Sequence, residues 1–216
     1  IRGLGRRPRG LDEIQALADD MENEASPSPA GRRGHVEARE IRAAYIEDLV
    51  GRIRLDRRIK VVVDAGNGAA GLVAPEVYRR LGCEVIELYC TPDGTFPNHE
   101  ADPTVPEALE DLRDEVVRRG ADLGIAFDGD GDRIGVVDET GRIAWGDQLM
   151  AIYFREVLAA HPGAPCIIEV KCSQALVEEV ERLGGKPFFY RTGHSLIKAK
   201  MKELKAPFTG EMSGHM

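Results

Sequence analysis

Three aspartates, Asp128, Asp130 and Asp132, alternate with glycines in "FDGDGDRIGVVDE" (127–139), and Arg133 follows the last of them directly. Alternate residues of an extended segment point to one side, so the carboxylates can converge, while Gly129 and Gly131 let the backbone curl where other residues resist. Converged carboxylates repel one another unless a cation sits among them. Three hard oxygen donors suit Mg2+ or another hard dication. An EF-hand loop is a rival, because Asp128, Asp130, Asp132 and Glu139 match its ligand positions 1, 3, 5 and 12. Its required glycine is replaced by Arg133, however, and the flanks read as strands, which argues against a calcium switch. A solvated acidic turn is the plain alternative, and strict alternation between apolar strands favours the metal.

A second set lies at the end of the chain. In "GEMSGH" (210–215), Glu211, Ser213 and His215 alternate between glycines and offer an acceptor, a hydroxyl and a ring nitrogen, a set suited to the hydroxyls of a sugar. Upstream, Lys171 closes a strand, and "RTGHSLIK" (191–198) puts Gly193 and His194 at a helix start, where backbone N–H groups and the helix dipole favour phosphate. Ligands of α/β sheets sit at the carboxyl ends of strands, where these residues fall. Singly each has a bland explanation: a surface lysine, a helix cap, a turn serine. A competing signal is "VVVDAGNGAAG" (61–71), whose Gly66, Gly68 and Gly71 have G-x-G-x-x-G spacing, with Glu87 about 20 residues on where a ribose-binding acid of a dinucleotide fold would lie. Asn67-Gly68 also makes an ordinary tight turn, and Gly71 permits close helix packing, so a dinucleotide-binding module is the alternative rather than the main reading.

These residues need elements to hold them. "IKVVVDA", "CEVIELY", "ADLGIAF" and "RIGVVDE" read as strands of a first unit, and "APCIIEVK" and "KPFFYR" as strands of a second. Helices are expected over 69–81, along a face with Leu109, Leu112, Val116 and Val117, over 147–160, from the cap Ser173 to Leu183, and over 194–204. Earlier, "LDEIQALADDME" (11–22) and the residues from Ile41 carry helical spacing, separated by a Pro-, Ser- and Gly-rich loop over 23–37. The alternation indicates α/β architecture with largely parallel sheets. The 216 residues exceed one average domain of about 150 residues and fall short of two. With 43% hydrophobic and 31% charged residues the chain can bury a core. Its net charge of -8 argues against a general nucleic-acid surface, so an anionic ligand must meet locally gathered basic residues; the basic opening "IRGLGRRPRG" is more simply solvated. Cys83, Cys90, Cys166 and Cys172 have no zinc-type spacing and read as free thiols of a cytoplasmic protein. No run approaches the roughly 18 apolar residues of a membrane span.

Taken together, "DGDGDR" (128–133), "VVVDAGNGAAG" (61–71), the Lys171 strand end, "TGHSLIK" (192–198) and "GEMSGH" (210–215) resemble the α-D-phosphohexomutases, in that family's order, from about residue 11 onward. The resemblance implies two consecutive α/β/α sandwich domains of the phosphohexomutase type, the second truncated. A remnant of a first domain would span 1–38, domain II with the metal loop 39–142, and part of domain III with the sugar loop 143–216. It implies interconversion of hexose 1-phosphate and 6-phosphate through a phosphoserine and a hexose 1,6-bisphosphate. Asp128, Asp130 and Asp132 would hold one Mg2+, Arg133 would act on the phosphoserine or the transferring phosphoryl group, and Lys171, Gly193, His194, Glu211, Ser213 and His215 would bind the phosphohexose. Met212 favours a glucose or mannose phosphate over a glucosamine phosphate.

The departures from the family pattern are equally specific. No serine loop of the "T-A-S-H-N-P" kind occurs in these residues, and the chain opens on Ile1 and stops at Met216 just past the sugar loop. The sequence is therefore expected to be a segment that keeps the metal loop without its nucleophile; a non-catalytic metal-binding fragment is the remaining alternative. In an assay with glucose 1-phosphate and glucose 1,6-bisphosphate, these residues alone are expected to bind Mg2+ weakly and give no turnover. Robust turnover would show the missing serine to be dispensable.

Overall fold

The computed structural model describes Gln15, Ala16, Ala18, Asp19 and residues 35–216, in two units, Ile1–Glu40 and Ile41–Met216. In the first unit the four described residues near position 17 are helical, with Gln15 Nε2 donating to Asp19 Oδ1 at 2.8 Å, and residues 35–40 have no regular structure. The rest of the helix expected over 11–22, most of the loop expected over 23–37 and the basic opening lie outside the described residues.

The second unit begins with α1 (Arg42–Arg52) and then builds a five-stranded sheet from β1 (Lys60–Asp64), β2 (Glu84–Leu88), β3 (Leu123–Phe127), β4 (Ile134–Asp138) and β5 (Ile143–Ala144) in the order β2-β1-β3-β4-β5. Strands β2, β1 and β3 are parallel, whereas β3-β4 and β4-β5 pair antiparallel. This corrects the expectation of a largely parallel sheet. Only the short 128–133 loop joins β3 to β4, and a parallel pair needs a crossover of a dozen residues or more.

Period-two alternation divides β1 between two cores. Val62 faces one side with Leu109, Leu112 and Val116, which come from the Pro106–Leu109 3-10 turn and α3 (Glu110–Arg119). Val61 and Val63 face the other side with Ala74 of α2 (Ala74–Arg80), Cys90 and Ile125. Val117, expected on the buried face of α3, is 56% exposed, because the neighbour of Val116 on a 3.6-residue period points away from the sheet. The single helix expected over 69–81 is divided into a 3-10 turn, Ala69–Leu72, and α2, with Pro75 in the first turn of α2, where its missing N–H costs nothing.

Further along, α4 (Gly146–Ala160), β6 (Pro165–Glu169), α5 (Gln174–Arg182), β7 (Lys186–Tyr190) and α6 (His194–Leu204) form a second α/β/α layer set. The parallel pair β6-β7, extended by a bridge from Ile167 to Thr209, lies between two cores. Cys166 and Ile168 pack with Met150, Phe154, Leu176 and Val180, while Ile167 packs with Ile197 and Ala206. No helix among the described residues is long and apolar enough to cross a membrane.

Three loops carry the same local device. Asp93, Asp102 and Asp138 each accept from the backbone N–H and the hydroxyl of the threonine two residues on, at 2.6 to 2.9 Å. These bonds to the ionised form hold all three carboxyls below the usual carboxylate range, although at Asp102 burial opposes them as the largest single influence.

Leu112 is fully buried at the centre of the first core. Leu112→Ala is expected to cost about 2–5 kcal/mol in chemical denaturation. A loss within the range of a surface substitution would place the core elsewhere.

Candidate functional site

Asp128 follows the end of β3 directly, and there the chain turns instead of continuing extended. Oδ1 of the buried Asp128 accepts from the N–H groups of Gly131, at 3.1 Å, and Arg133, at 3.0 Å. Gly131 takes φ +78, a conformation that glycine enters without strain. The three aspartates therefore converge by a turn around Asp128, not by alternation along a strand. One oxygen from each of Asp128, Asp130 and Asp132 lies within 4.8 Å of the others. Asp130 is exposed and has no hydrogen bond or ion pair among the described residues. Hard carboxylate oxygens gathered at this spacing fit a hard dication as a donor set.

Arg133 is fixed from two sides. Nη1 donates to Asp102 Oδ2 at 3.1 Å and Nε lies 3.3 Å from Asp128 Oδ2. Because Thr104 occupies Oδ1 of Asp102, the second oxygen is left to hold the guanidinium. The same loop closes over the aspartates through Gly129 N–H, which donates to Ala101 O at 3.2 Å.

The glycine-rich turn forms a wall of this site. Gly66 N–H donates to Asp64 Oδ1, Asn67 N–H to Tyr89 O, Gly68 N–H to Ala65 O, Ala69 N–H to Gly129 O and Gly71 N–H to Gly68 O. With those donors committed internally, the turn lacks the free N–H cradle that a pyrophosphate needs. A Cβ at Gly68 would come within 2.7 Å of Gly129 O, and one at Gly71 within 2.1 Å of Cys90 O, so both glycines serve close backbone packing. Glu87 pairs with Arg79. The geometry removes the support for the dinucleotide alternative.

The sugar-type loop closes on itself, Glu211 N–H donating to His215 O and Gly214 N–H to Glu211 O. It is also stitched to the aspartate loop. Ile134 N–H donates to Gly214 O at 3.2 Å, and His215 Nε2 lies 3.0 Å from Asp132 Oδ1. His215 Nδ1 lies 2.9 Å from Glu211 Oε2 and 3.0 Å from Ser213 Oγ, and the ring stacks on His194 at 5.3 Å between centroids. A Cβ at Gly214 would meet Ile134 O at 2.3 Å, in a backbone of φ +90.

Arg133, Lys171, Gly193, His194, Glu211, Ser213 and His215 all line one cleft of about 480 Å3, whereas Asp128, Asp130 and Asp132 lie outside its lining and Asp132 meets it through His215. Two details differ from expectation. The Gly193 N–H donates to Glu211 Oε1 at 3.0 Å, which leaves the helix start to present the following N–H groups. Ser173 sits at the start of α5 without a side-chain cap, and its N–H donates to the buried Asp147 instead.

Sequence reasoning missed three buried carboxylates, Asp64, Asp147 and Glu169, and the partly exposed Asp102 that pairs with Arg133. An acid inside the apolar run "CIIEVK" was the available signal for Glu169. Asp64 is fully buried with His99 Nε2 at 3.1 Å, and His99 Nδ1 faces Glu100 O at 2.8 Å. The bond to Asp64 is the main reason that the His99 pKa rises to about 8; burial opposes it. A raised histidine pKa contributes stability that is complete below about 6.5 and lost as pH rises through about 8. In denaturation at pH 6 and pH 9, the advantage over His99→Gln is expected to shrink by about 1–2 kcal/mol. A pH-independent difference would show that His99 is neutral in the fold.

Comparison with known proteins gives the same organisation. The phosphoglucomutase/phosphomannomutase alpha/beta/alpha domain II model matches residues 43–141, and the domain III model of the same family matches 145–216. The phosphomannomutase/phosphoglucomutase of Pseudomonas putida is 49% identical over 95% of this chain and 44% of its own length. The phosphoglucomutase of Neisseria gonorrhoeae is 43% identical over 99% of this chain and 46% of its own. A solved phosphoglucomutase/phosphomannomutase family protein of Burkholderia thailandensis superposes with a TM-score of 0.83 at 44% identity, covering 94% of this chain and 44% of that one. The chain spans less than half the length of the curated relatives it matches. With both domain models, the site motifs and the fold in agreement, the chain belongs to the phosphoglucomutase/phosphomannomutase family, of which it carries domains II and III.

Proposed function

We propose that this chain supplies the metal-binding and sugar-binding parts of a phosphohexomutase that interconverts glucose or mannose 1-phosphate and 6-phosphate. The observation that carries this is the single cleft lined by Arg133, Lys171 and His194 together with Glu211, Ser213 and His215, joined to the aspartate loop through the Asp132–His215 contact. In a chain of net charge -8, that local gathering of basic groups is what an anionic ligand requires.

Lys171 and the first N–H groups of α6 take the phosphate of the substrate, the ammonium as a point charge and the helix start through its dipole. Glu211, Ser213 and His215 accept from or donate to the ring hydroxyls. Arg133, held by Asp102 and Asp128, faces the phosphoryl group in transfer; a preset guanidinium stabilises charge there without reorganising. Asp128, Asp130 and Asp132 would hold Mg2+, which when bound neutralises phosphate charge. The phosphoryl donor is a phosphoserine, and a hexose 1,6-bisphosphate is the intermediate that reorients between the two transfers.

Calorimetry with Mg2+ and NMR titration with glucose 1-phosphate test the assignment. Asp130→Asn is expected to weaken Mg2+ binding about tenfold or more, and Lys171→Ala to weaken glucose 1-phosphate binding about tenfold or more, by loss of a charge-assisted contact. Saturable NAD binding with no response of His194 or His215 to the phosphosugar would overturn the proposal.

A further inference from the structure

Glu169 ends β6 behind the cleft, 1% exposed, directly after the core residues Ile167 and Ile168. A carboxylate at such a place is retained only when its oxygens are satisfied. Here one carboxylate serves two loops. Oε1 accepts from the Thr192 hydroxyl, one residue before Gly193, and Oε2 accepts from Met212 N–H at 2.8 Å, between Glu211 and Ser213. The Lys171 ammonium lies 3.6 Å from Oε1 and offsets the charge.

We propose that Glu169 is a positioning residue that sets the distance between the phosphate half and the sugar half of the cleft. It is absent from the cleft lining and works through Thr192 and Met212. This rests on the phosphosugar assignment above. A hexose phosphate bridges the two halves, so its affinity depends on both halves being engaged at once, whereas inorganic phosphate uses only one. Rigid spacing therefore acts on the joined ligand and leaves the small one unaffected. The amide of a glutamine at 169 can still accept from Met212 N–H and donate to the Thr192 hydroxyl, so the spacing does not depend on the charge.

The test measures glucose 1-phosphate and inorganic phosphate binding by NMR titration, and hydrogen exchange at the Met212 amide, for the unchanged protein, Glu169→Leu, Glu169→Gln and Thr192→Val. Glu169→Leu is expected to lose glucose 1-phosphate affinity about tenfold, with inorganic phosphate affinity not reduced, since Lys171 loses only a competing carboxylate, and Met212 exchange accelerated. Glu169→Gln is expected to stay within about threefold of the unchanged protein for both ligands. Thr192→Val breaks one arm only and is expected to lose about threefold for glucose 1-phosphate alone, which keeps the test decisive if Glu169→Leu does not fold. Equal losses for both ligands, no loss for the sugar phosphate, or a Glu169→Gln as poor as Glu169→Leu would each overturn the positioning role while leaving the phosphosugar assignment standing. Failure of the unchanged protein to bind glucose 1-phosphate would overturn that assignment, and the role with it.

Discussion

Carboxylates crowded at the carboxyl ends of strands are the constraint around which this structure is organised. Asp64 closes β1, Asp128 follows β3 and Glu169 closes β6, each 5% exposed or less. Charged groups removed from water are tolerated only where donors converge on them. At Asp64 the donors are Gly66 N–H and His99, at Asp128 two backbone N–H groups with Arg133 alongside, and at Glu169 a hydroxyl and a backbone N–H with Lys171 alongside. Each buried acid thereby dictates where the loop after its strand, or a loop from elsewhere, must run.

The glycines follow from the same requirement. Loops drawn tightly around carboxylates bring backbone against backbone, and at Gly68, Gly71 and Gly214 a side chain would strike a carbonyl oxygen of a neighbouring segment. The glycine-rich turn after β1, which looks like a nucleotide cradle in isolation, supports the aspartate loop by donating Ala69 N–H to Gly129 O. The sugar-type loop meets that aspartate loop from the other side through Gly214 and His215. Two loops from different α/β/α layers thus share one edge, and the cleft lies where they meet.

Arg133 shows how a small loop can serve two ends. Its backbone N–H closes the turn around Asp128, while its guanidinium is clamped by Asp102 from the loop between β2 and α3. Thr104 takes the other oxygen of Asp102, so the clamp has one geometry. The four cysteines take no part in this chemistry. All are free, and at Cys90, Cys166 and Cys172 burial raises the thiol pKa to about 11 or 12, which keeps them unreactive.

Much of this was legible in the chain alone. β-branched runs marked β1, β4 and β6, the apolar run LGIAF marked β3, and the periods of α4 and α6 were readable because one face of each is apolar. The aspartate triad, Lys171, His194 and the 210–215 loop could be identified because the chemistry they offer is local in type and spacing. Only the tertiary structure decided that β4 returns antiparallel, that Val117 faces water, that Gly193 N–H belongs to Glu211, and that Asp102 and Glu169 hold the site from behind. The physical reason is range. A motif records which groups lie side by side along the chain, whereas His215 and Asp132 meet across 83 positions, and Glu169 and Met212 across 43. Which partner satisfies a buried charge depends on how strands and helices pack, and that is settled when the core closes.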